Sequence, residues 1–464
     1  MIWAIAAILF GAVLARRPAL VVFLAIGAYI LIPGVARGVL TPFLHPGAYL
    51  VAGYAVAAAI IDRQWFSKAI QRSRGILAVA AVIVAYASID ALNEGTSGLP
   101  RLLQSLASFF LMPLTVFVIG RHVVAQTPKW ARIYAAWLLV IGVVEIVLAY
   151  FQNLTGLTIV WGFVYRSMWF WGQGDDVSRA LGTTGHGIQL SVFLAMTICV
   201  TPMIRSTLVR FGYIGLAWIA LPWTNGRLGM LLAGLATAYV FFYSRRTPLR
   251  TVLMSLIVLV GIGWSLQTEE GQKVIRKFSS DGGSNQKRID ALAWGRAHWR
   301  EFLFSGYPGN RDVRGSGLLS SSLENGYLMA GMAFGLVVAA ALFLLQVVTI
   351  ARCVVGSPRA RVWGLTSALG VIAFFGSSSF MADSLDGVTT WIFMGIGLGL
   401  ADAARGPAGH SLRAHASDER HSSTPARQDE SSDGIGSRNV QGVGVEEPHR
   451  EVVSSALARP ASLR

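Results

Sequence analysis

Residues 211–243 read FGYIGLAWIALPWTNGRLGMLLAGLATAYVFFY, two apolar runs separated by the polar turn TNGR. The hydrocarbon core of a bilayer takes an apolar helix of about 20 residues, and somewhat shorter helices are tolerated. The Asn-Gly pair in the turn provides the backbone freedom that a tight connection needs. The stretch therefore predicts a short transmembrane hairpin of two helices, over 211–223 and 228–243.

The composition of the whole chain extends this prediction. The chain has 464 residues, of which 54% are hydrophobic and 14% are charged, and its mean hydropathy is +0.55. Soluble domains carry about 25% charged residues. We therefore expect an all-α polytopic membrane protein with about 12–13 transmembrane helices. The apolar runs cover 2–15, 18–33, 46–61, 75–92, 102–119, 133–151, 186–203, 211–223, 228–243, 251–266, 327–350, 363–381 and 388–401.

Basic segments predict the orientation of these helices. If the runs alternate in direction, six Lys- and Arg-rich segments fall on one side of the membrane, and the positive-inside rule makes that side the cytoplasm. The net charge of +15 is explained in this way, and it does not indicate a nucleic-acid partner. The six segments are 16–17, 62–74, 121–132, 205–210, 244–250 and 351–361.

Two long segments then fall on the extracytoplasmic side, 152–187 and 267–326, within a transmembrane bundle that spans 1–402. We expect the second to form a mostly helical cap over the bundle. Residues 403–464 are rich in Ser, Gly, Ala, Pro and mixed charge, so they cannot bury enough apolar surface to fold. This tail is predicted to be disordered and cytoplasmic.

The large outer segment is basic, against the general rule for that side. Arg288, Leu292 and Arg296 are spaced to share one face of a helix, with Trp294 and Trp299 nearby. Such a helix could lie on the membrane with its aromatic rings at headgroup level. Its guanidinium groups could bind phosphate or pyrophosphate in bidentate fashion. The alternative is a soluble basic loop, because long exported loops are partly exempt from the rule.

Other polar residues stand at the ends of apolar runs on the same side. Arg227, in the TNGR turn, could snorkel to the interface or point inward to the same anion as Arg288. Arg179 precedes the loop LGTTGHG, which opens the next span, and helix starts favour anions. His186 in that loop could bind substrate or cap the helix. Glu324 and Asn325 stand where the chain re-enters the bilayer.

Metal or cofactor chemistry is not predicted. Asp175 and Asp176 are adjacent acids without an evident third ligand, so a solvated pair is the simpler interpretation. Cys199 and Cys353 both lie in or beside apolar runs and are interpreted as packing residues. No metal-binding motif and no glycine-rich phosphate loop occur in the sequence.

Four motifs occur in a recognisable order: RALGTTGH (179–186), TNGRLGMLLAGL (224–235), KRIDALAWGRAHWREFLFSGYPGN (287–310) and SSLENGYLMAGMAFGLV (321–337). Together they resemble the O-antigen ligase and O-antigen polymerase superfamily of bacterial envelope glycosyltransferases, over about residues 130–400. The resemblance implies transfer of a glycan from a polyprenyl-pyrophosphate carrier to an acceptor sugar, without nucleotide donor or essential metal. It also implies that Arg227 and Arg288 hold the pyrophosphate.

The resemblance includes one departure from the family. Ligases of the family usually have His-Asn where this chain has Glu324-Asn325, which suits the more variable polymerases better. A carboxylate can accept the proton of the acceptor hydroxyl as readily as an imidazole can. Glu324 is therefore the predicted base and Asn325 the residue that orients it. The alternative is an interfacial acid at a helix start, where the helix dipole favours negative charge.

A transporter or flippase for an anionic lipid or solute is the alternative from another class. The sequence shows no internal repeat of the kind that many transporters have, and Glu145 is the only clear acid within a predicted span. We expect Glu145 to pair with a neighbouring helix, although a proton relay stays open. The predicted location is the inner or plasma membrane, and the predicted partners are the lipid-linked oligosaccharide, an acceptor glycan or glycolipid, and the bilayer.

Overall fold

Helices dominate the computed structural model, which describes residues 1–93, 99–166, 179–243, 248–280, 282–306, 325–376 and 384–405. These described residues contain no β-strand and fall in one unit, Met1–Leu412. The predicted all-α class is thus confirmed for this part of the chain. Asp175, Asp176, Glu324 and the tail beyond Arg405 lie outside it.

The helices follow the apolar runs of the sequence, and most begin or end a few residues from the predicted positions. A π-helical turn, Ala107–Leu111, joins α5 to α6, and a 3-10 turn, Pro222–Thr224, lies between α10 and α11. The bounds are α1 (Ile2–Val13), α2 (Pro18–Leu31), α3 (Pro46–Ile61), α4 (Arg63–Asn93), α5 (Leu99–Leu106), α6 (Met112–Gln126), α7 (Lys129–Thr155), α8 (Gly162–Arg166), α9 (Gly187–Val200), α10 (Thr207–Ala220), α11 (Arg227–Tyr243), α12 (Pro248–Gln267), α13 (Glu269–Ser280), α14 (Gly282–His298), α15 (Gly326–Phe334), α16 (Leu336–Gly356), α17 (Pro358–Phe374) and α18 (Leu385–Arg405).

Many of these helices have the length and composition of membrane spans. Among the described residues, five stretches are long and apolar enough to cross a bilayer, and six further apolar stretches are shorter, with 10–17 residues. The chain is therefore an all-α membrane protein, as predicted. The long stretches are Arg63–Ser88, Leu103–Gln126, Lys129–Thr155, Leu336–Gly356 and Leu385–Arg405.

Glycines bring α6 and α18 into close contact. A Cβ atom on Gly395 would lie 2.5 Å from the carbonyl oxygen of Phe117, and one on Gly399 would lie 2.5 Å from that of Arg121. Because both contacts step forward together along the chain, the two helices run parallel. Small residues allow such approach between membrane helices, where dispersion contacts drive packing. An ion pair of 2.9 Å between Arg121 and Asp402 ties the carboxyl-terminal halves together.

Three of the predicted basic segments, 121–132, 205–210 and 351–361, meet at one end of the bundle. Arg132 lies close enough to Arg359 and Arg205 for their positive charges to act on it. The three residues come from different predicted segments. We call this the basic end, defined by Arg121, Arg132, Arg205 and Arg359. The opposite end, where α9, α11 and α18 begin, is called the site end.

The hairpin predicted over residues 211–243 is present. Asn225 adopts the left-handed conformation with φ of 53°, so the Asn-Gly turn behaves as predicted. The indole N–H of Trp218 on α10 donates to the hydroxyl of Thr237 on α11 over 3.0 Å. The hairpin is thus held by a side-chain bond between its helices as well as by its turn.

The predicted single span over 327–350 is wrong. The chain breaks at Gly335, whose φ of 97° no other residue type adopts readily. Helix α15 folds back along α16, so the Tyr327 hydroxyl donates to the Gln346 side-chain oxygen over 2.6 Å. Only α16 has the length of a span. Helix α18 ends at Arg405, three residues beyond the predicted boundary at 402.

The glycine contacts between α6 and α18 lead to a stability prediction. Gly395→Ala should destabilise the protein by roughly 1–3 kcal/mol, because the new methyl group forces the two backbones apart. Gly234→Ala is the matched control, since no neighbouring heavy atom lies within 4 Å of its added Cβ. It should be neutral or slightly stabilising. Thermal unfolding of both variants in detergent is the measurement, and equal unfolding temperatures would contradict the close approach.

Candidate functional site

The loop over 180–186 is held in place by hydrogen bonds to two side chains of α7. The Glu145 carboxylate accepts the backbone N–H of Thr183 over 2.8 Å and contacts the Thr183 hydroxyl. The side-chain oxygen of Gln152 accepts the N–H groups of Leu181 and Gly182, each over 2.8 Å, and its amide nitrogen donates to the carbonyl of Gly182 over 2.7 Å. Glu145 and Gln152 are spaced to share one face of α7 and are both buried. The loop is therefore fixed in place by polar groups of a spanning helix.

Further bonds make the loop a rigid element. The Tyr165 hydroxyl on α8 donates to the carbonyl of Thr184 over 2.5 Å, and the Thr184 hydroxyl donates to the carbonyl of Leu181 over 2.7 Å. Gly182 has a φ of 60°, and a side chain there would collide with the Glu145 carboxylate. The predicted pairing of Glu145 with a neighbouring helix is thus corrected, because its partner is this loop.

The loop also contacts the α10–α11 hairpin. The N–H of Ala180 donates to the carbonyl of Trp223 over 2.9 Å. A Cβ atom on Gly187 would lie 2.6 Å from the carbonyl oxygen of Thr224 and 3.5 Å from the Cβ of Arg179. The start of α9 and the turn before α11 therefore touch each other. This contact brings Arg179 beside the TNGR turn (224–227), whose last residue is Arg227.

Glycines hold the starts of α9 and α11 together. Side chains on Gly226 or Gly229 would collide with Ser191, one turn into α9. Arg227, the first residue of α11, lies between these two glycines and is half-buried, as is Arg179. His186 caps α9, and its Nδ1 accepts the N–H of Ile188 over 3.1 Å. The capping interpretation of His186 is therefore confirmed, and a substrate role stays a prediction.

Helix α15 begins at the same end. Asn325 caps it, with its side-chain oxygen accepting the N–H of Leu328 over 3.0 Å. The Tyr327 ring contacts that of Phe375, just after α17, with 4.7 Å between centroids. On the other side of α17, a Cβ on Gly376 would lie 2.6 Å from a methyl carbon of Leu228. The end of α17 thus connects the start of α11 with the start of α15.

Helix α14 carries the remaining predicted arginines. It packs on α15, where a Cβ on Gly295 would lie 3.2 Å from the Leu328 side chain. Arg296 is exposed. Arg288 also belongs to α14, but its side chain is not among those that the structure describes. Trp294 is buried against Phe302, so its predicted place at headgroup level is wrong.

Trp299 differs from Trp294, because it is 41% exposed, and its place at headgroup level stays a prediction. The Arg300 guanidinium lies over its ring, 5.5 Å from the centroid, in a cation–π contact. Helix α13 contacts the turn over 222–224, so the segment from Glu269 to Gly306 approaches the site end at two places. In the part of the chain that the structure describes, the side-chain hydrogen bonds to the loop over 180–186 come from Glu145, Gln152 and Tyr165, and neither Arg296 nor Arg300 forms one.

One functional candidate was missed by sequence reasoning. Asp386 is fully buried in the first turn of α18, and neither carboxylate oxygen has a hydrogen-bond partner in the described structure. Gly370 of α17 packs against Thr390 of α18, so Asp386 lies opposite Phe374 at the site end. An unpaired acid inside a membrane bundle costs several kcal/mol and is a functional-site hypothesis by default. The sequence feature that could have identified Asp386 is its position as an acid just before the apolar run 388–401.

Metal ligation has no support in the described residues, which contain no group of three His, Cys, Asp or Glu side chains able to hold an ion. Cys199 and Cys353 are free and buried, in agreement with their predicted packing role.

The site end offers half-buried arginines, an unpaired carboxylate and the starts of α9, α11 and α15. Helix starts carry partial positive charge, so this arrangement suits an anion.

Removing the Glu145 side chain should loosen the loop. In Glu145→Leu, amide exchange over 180–186 should accelerate roughly ten-fold or more, because bonds to charged groups contribute about 1.5–3 kcal/mol. Glu145→Gln keeps an acceptor and should change the exchange rate less. Val144→Ala, at an exposed position of the same helix, is the control. Hydrogen–deuterium exchange measures the effect, and unchanged protection in Glu145→Leu would show that α7 does not hold the loop.

Known proteins do not extend this description. No protein-family model, no curated protein and no solved structure matches the chain.

Proposed function

We propose that this chain transfers a glycan from a polyprenyl-pyrophosphate carrier to an acceptor sugar, and that it polymerises or ligates a surface polysaccharide. The observation that carries the proposal is the contact between the Arg179 loop and the turn ending in Arg227. The residue after Arg179 donates to Trp223, and Thr224, three residues before Arg227, lies against Gly187, so segments from distant parts of the sequence that carry the two arginines meet at one end of the bundle. The family resemblance of the four motifs supports the same function.

A diphosphate suits this arrangement on physical grounds. Guanidinium groups bind phosphate oxygens in bidentate fashion and keep their charge in partly apolar surroundings. Helices α9 and α11 begin beside the two arginines, and their N-terminal ends attract anions. Arg288 on α14 is the third cation that we assign to the carrier, and Arg296 and His186 complete the proposed binding residues.

The transfer step needs a base as well as an anion site. The acceptor hydroxyl oxygen forms a bond to the anomeric carbon, while the bond from that carbon to the phosphate oxygen breaks. The electron pair leaves with the carrier pyrophosphate, whose charge the arginines stabilise. The hydroxyl proton passes to the Glu324 carboxylate. Asn325 uses its oxygen as a helix cap, which leaves its NH2 group to orient Glu324 or the sugar.

The proposed location follows from the two ends of the bundle. We place the basic end and the C-terminal tail in the cytoplasm and the site end at the extracytoplasmic face of the inner or plasma membrane. Helices α13 and α14 then form a cap over the site end. The Glu324-Asn325 pair favours a polymerase over a ligase, because ligases of the family that the motifs resemble usually have His-Asn there.

A transporter remains the second candidate because of Asp386. A buried carboxylate without a partner can take up and release a proton, as relays in transporters do. Glu145, the acid first considered for that role, is instead occupied by Thr183. Reconstituted protein that moves labelled substrate without forming a glycosidic product would favour transport.

Substitution of the proposed residues should abolish chain growth. Arg227→Ala, Arg288→Ala and Glu324→Gln should each lower transfer by roughly 100-fold or more, since they remove groups that act on the transition state. In cells, long polysaccharide should disappear and single lipid-linked units should accumulate. Gel analysis of polysaccharide length and extraction of lipid-linked units are the measurements.

Arg352→Ala is the matched control, because Arg352 is exposed on α16 towards the basic end. It should leave polymer length unchanged. Normal polymer length in all three site variants would remove the glycosyltransferase proposal, provided that membrane levels of the protein are equal.

A further inference from the structure

A long apolar groove lies between α4 and the α5–α6 segment, away from the site described above. Its volume is about 450 Å³, which is in the range of pockets that hold small molecules. Thr115 is the only polar residue among the described side chains that line the groove. Its hydroxyl donates to the carbonyl of Leu111 over 2.7 Å, within its own helix. The groove therefore offers only hydrocarbon contacts.

The groove is open along one side. Lining residues from both walls remain exposed, with Leu103 57% exposed, Leu111 58% and Ile70 40%. Both walls belong to stretches that are long and apolar enough to cross a bilayer. From Leu103 to Ile119 the groove extends about 24 Å at 1.5 Å per residue. This exceeds half of a hydrocarbon core of about 30 Å, so one acyl chain of a leaflet fits along it.

Two arginines lie on the groove side of α4 near the basic end. Arg63, Ile70, Leu77 and Val84 recur every seven residues, and the last three line the groove. Arg74 lies one turn from both Ile70 and Leu77 on the same side. Both arginines are exposed and neither forms an ion pair or hydrogen bond in the described structure. The nearby carboxylate of Asp62 accepts the N–H of Trp65 over 3.4 Å.

We propose that the groove binds an anionic phospholipid, with one acyl chain between α4 and α6 and the phosphate at Arg74 and Arg63. The position of the charges distinguishes this lipid from the polyprenyl carrier. A carrier whose pyrophosphate lies at the site end would place its charge at the opposite end of the bundle. The unpaired arginines at the basic end instead indicate a headgroup there. The proposal does not depend on glycan transfer.

The proposed headgroup site is tested by removing positive charges from two faces of α4. The Arg63→Gln, Arg74→Gln double variant should retain less phosphatidylglycerol, by about five-fold for each arginine, since a basic residue near a membrane surface contributes about 1 kcal/mol. The Lys68→Gln, Arg72→Gln variant is the control. Both residues are exposed, and each lies two residues from Ile70 and so on the other face. Native mass spectrometry of the full chain with phosphatidylglycerol or phosphatidylcholine counts the bound lipid.

The acyl chain is tested by filling the groove. Ala81→Phe places a ring in the groove, whereas Ala78→Phe places the same ring at an exposed position of α4 that does not line it. Only Ala81→Phe should reduce bound phosphatidylglycerol. Equal retention by the paired variants in either test would overturn the proposal, as would displacement of the lipid by polyprenyl phosphate at equal concentration. Thermal unfolding in detergent identifies any variant that fails to fold.

Discussion

The hydrogen bonds from Glu145 and Gln152 to the loop over 180–186 are the interactions on which the site depends. Irregular backbone at membrane depth needs partners for its N–H and C=O groups, because lipid provides none. The two side chains of α7 supply them for Leu181, Gly182 and Thr183. With the loop fixed in this way, Ala180 meets Trp223 and Gly187 meets Thr224. The segments that carry Arg179 and Arg227 meet at the site end as a consequence.

The end of α17 has a comparable role on the other side of the site. Phe375 contacts Tyr327 and Gly376 contacts Leu228, so one short segment joins the start of α15 to the start of α11. Asp386 lies beside this junction, buried and unpaired. A phosphate-bearing substrate at the site end would therefore find the half-buried Arg179 and Arg227 and the buried carboxylate of Asp386 at the same end of the bundle. That charge pattern suits a reaction in which an anionic leaving group departs and a proton moves.

Sequence reasoning found the fold class because hydrophobic runs and basic segments report directly on the membrane. It found the hairpin turn because Asn-Gly has a specific backbone preference. It missed the break at Gly335, since an unbroken apolar run does not show that the chain reverses inside it. Glu145 was noticed, but its partner Thr183 is distant in sequence and belongs to a loop that only tertiary packing brings near. Asp386 was missed because the span was taken to begin at 388. Trp294 was misplaced because spacing alone does not show which face of α14 packs on α15.

Binding of a polyprenyl pyrophosphate to the protein in nanodiscs tests the central claim most directly. The Arg179→Gln, Arg227→Gln double variant should bind it at least roughly ten-fold more weakly than the unmodified chain, because hydrogen bonds to charged groups contribute about 1.5–3 kcal/mol each. The Arg352→Gln, Arg359→Gln variant, changed at the basic end, should bind it with an unaltered Kd. An unaltered Kd in the Arg179→Gln, Arg227→Gln variant would contradict the claim that these arginines hold the diphosphate.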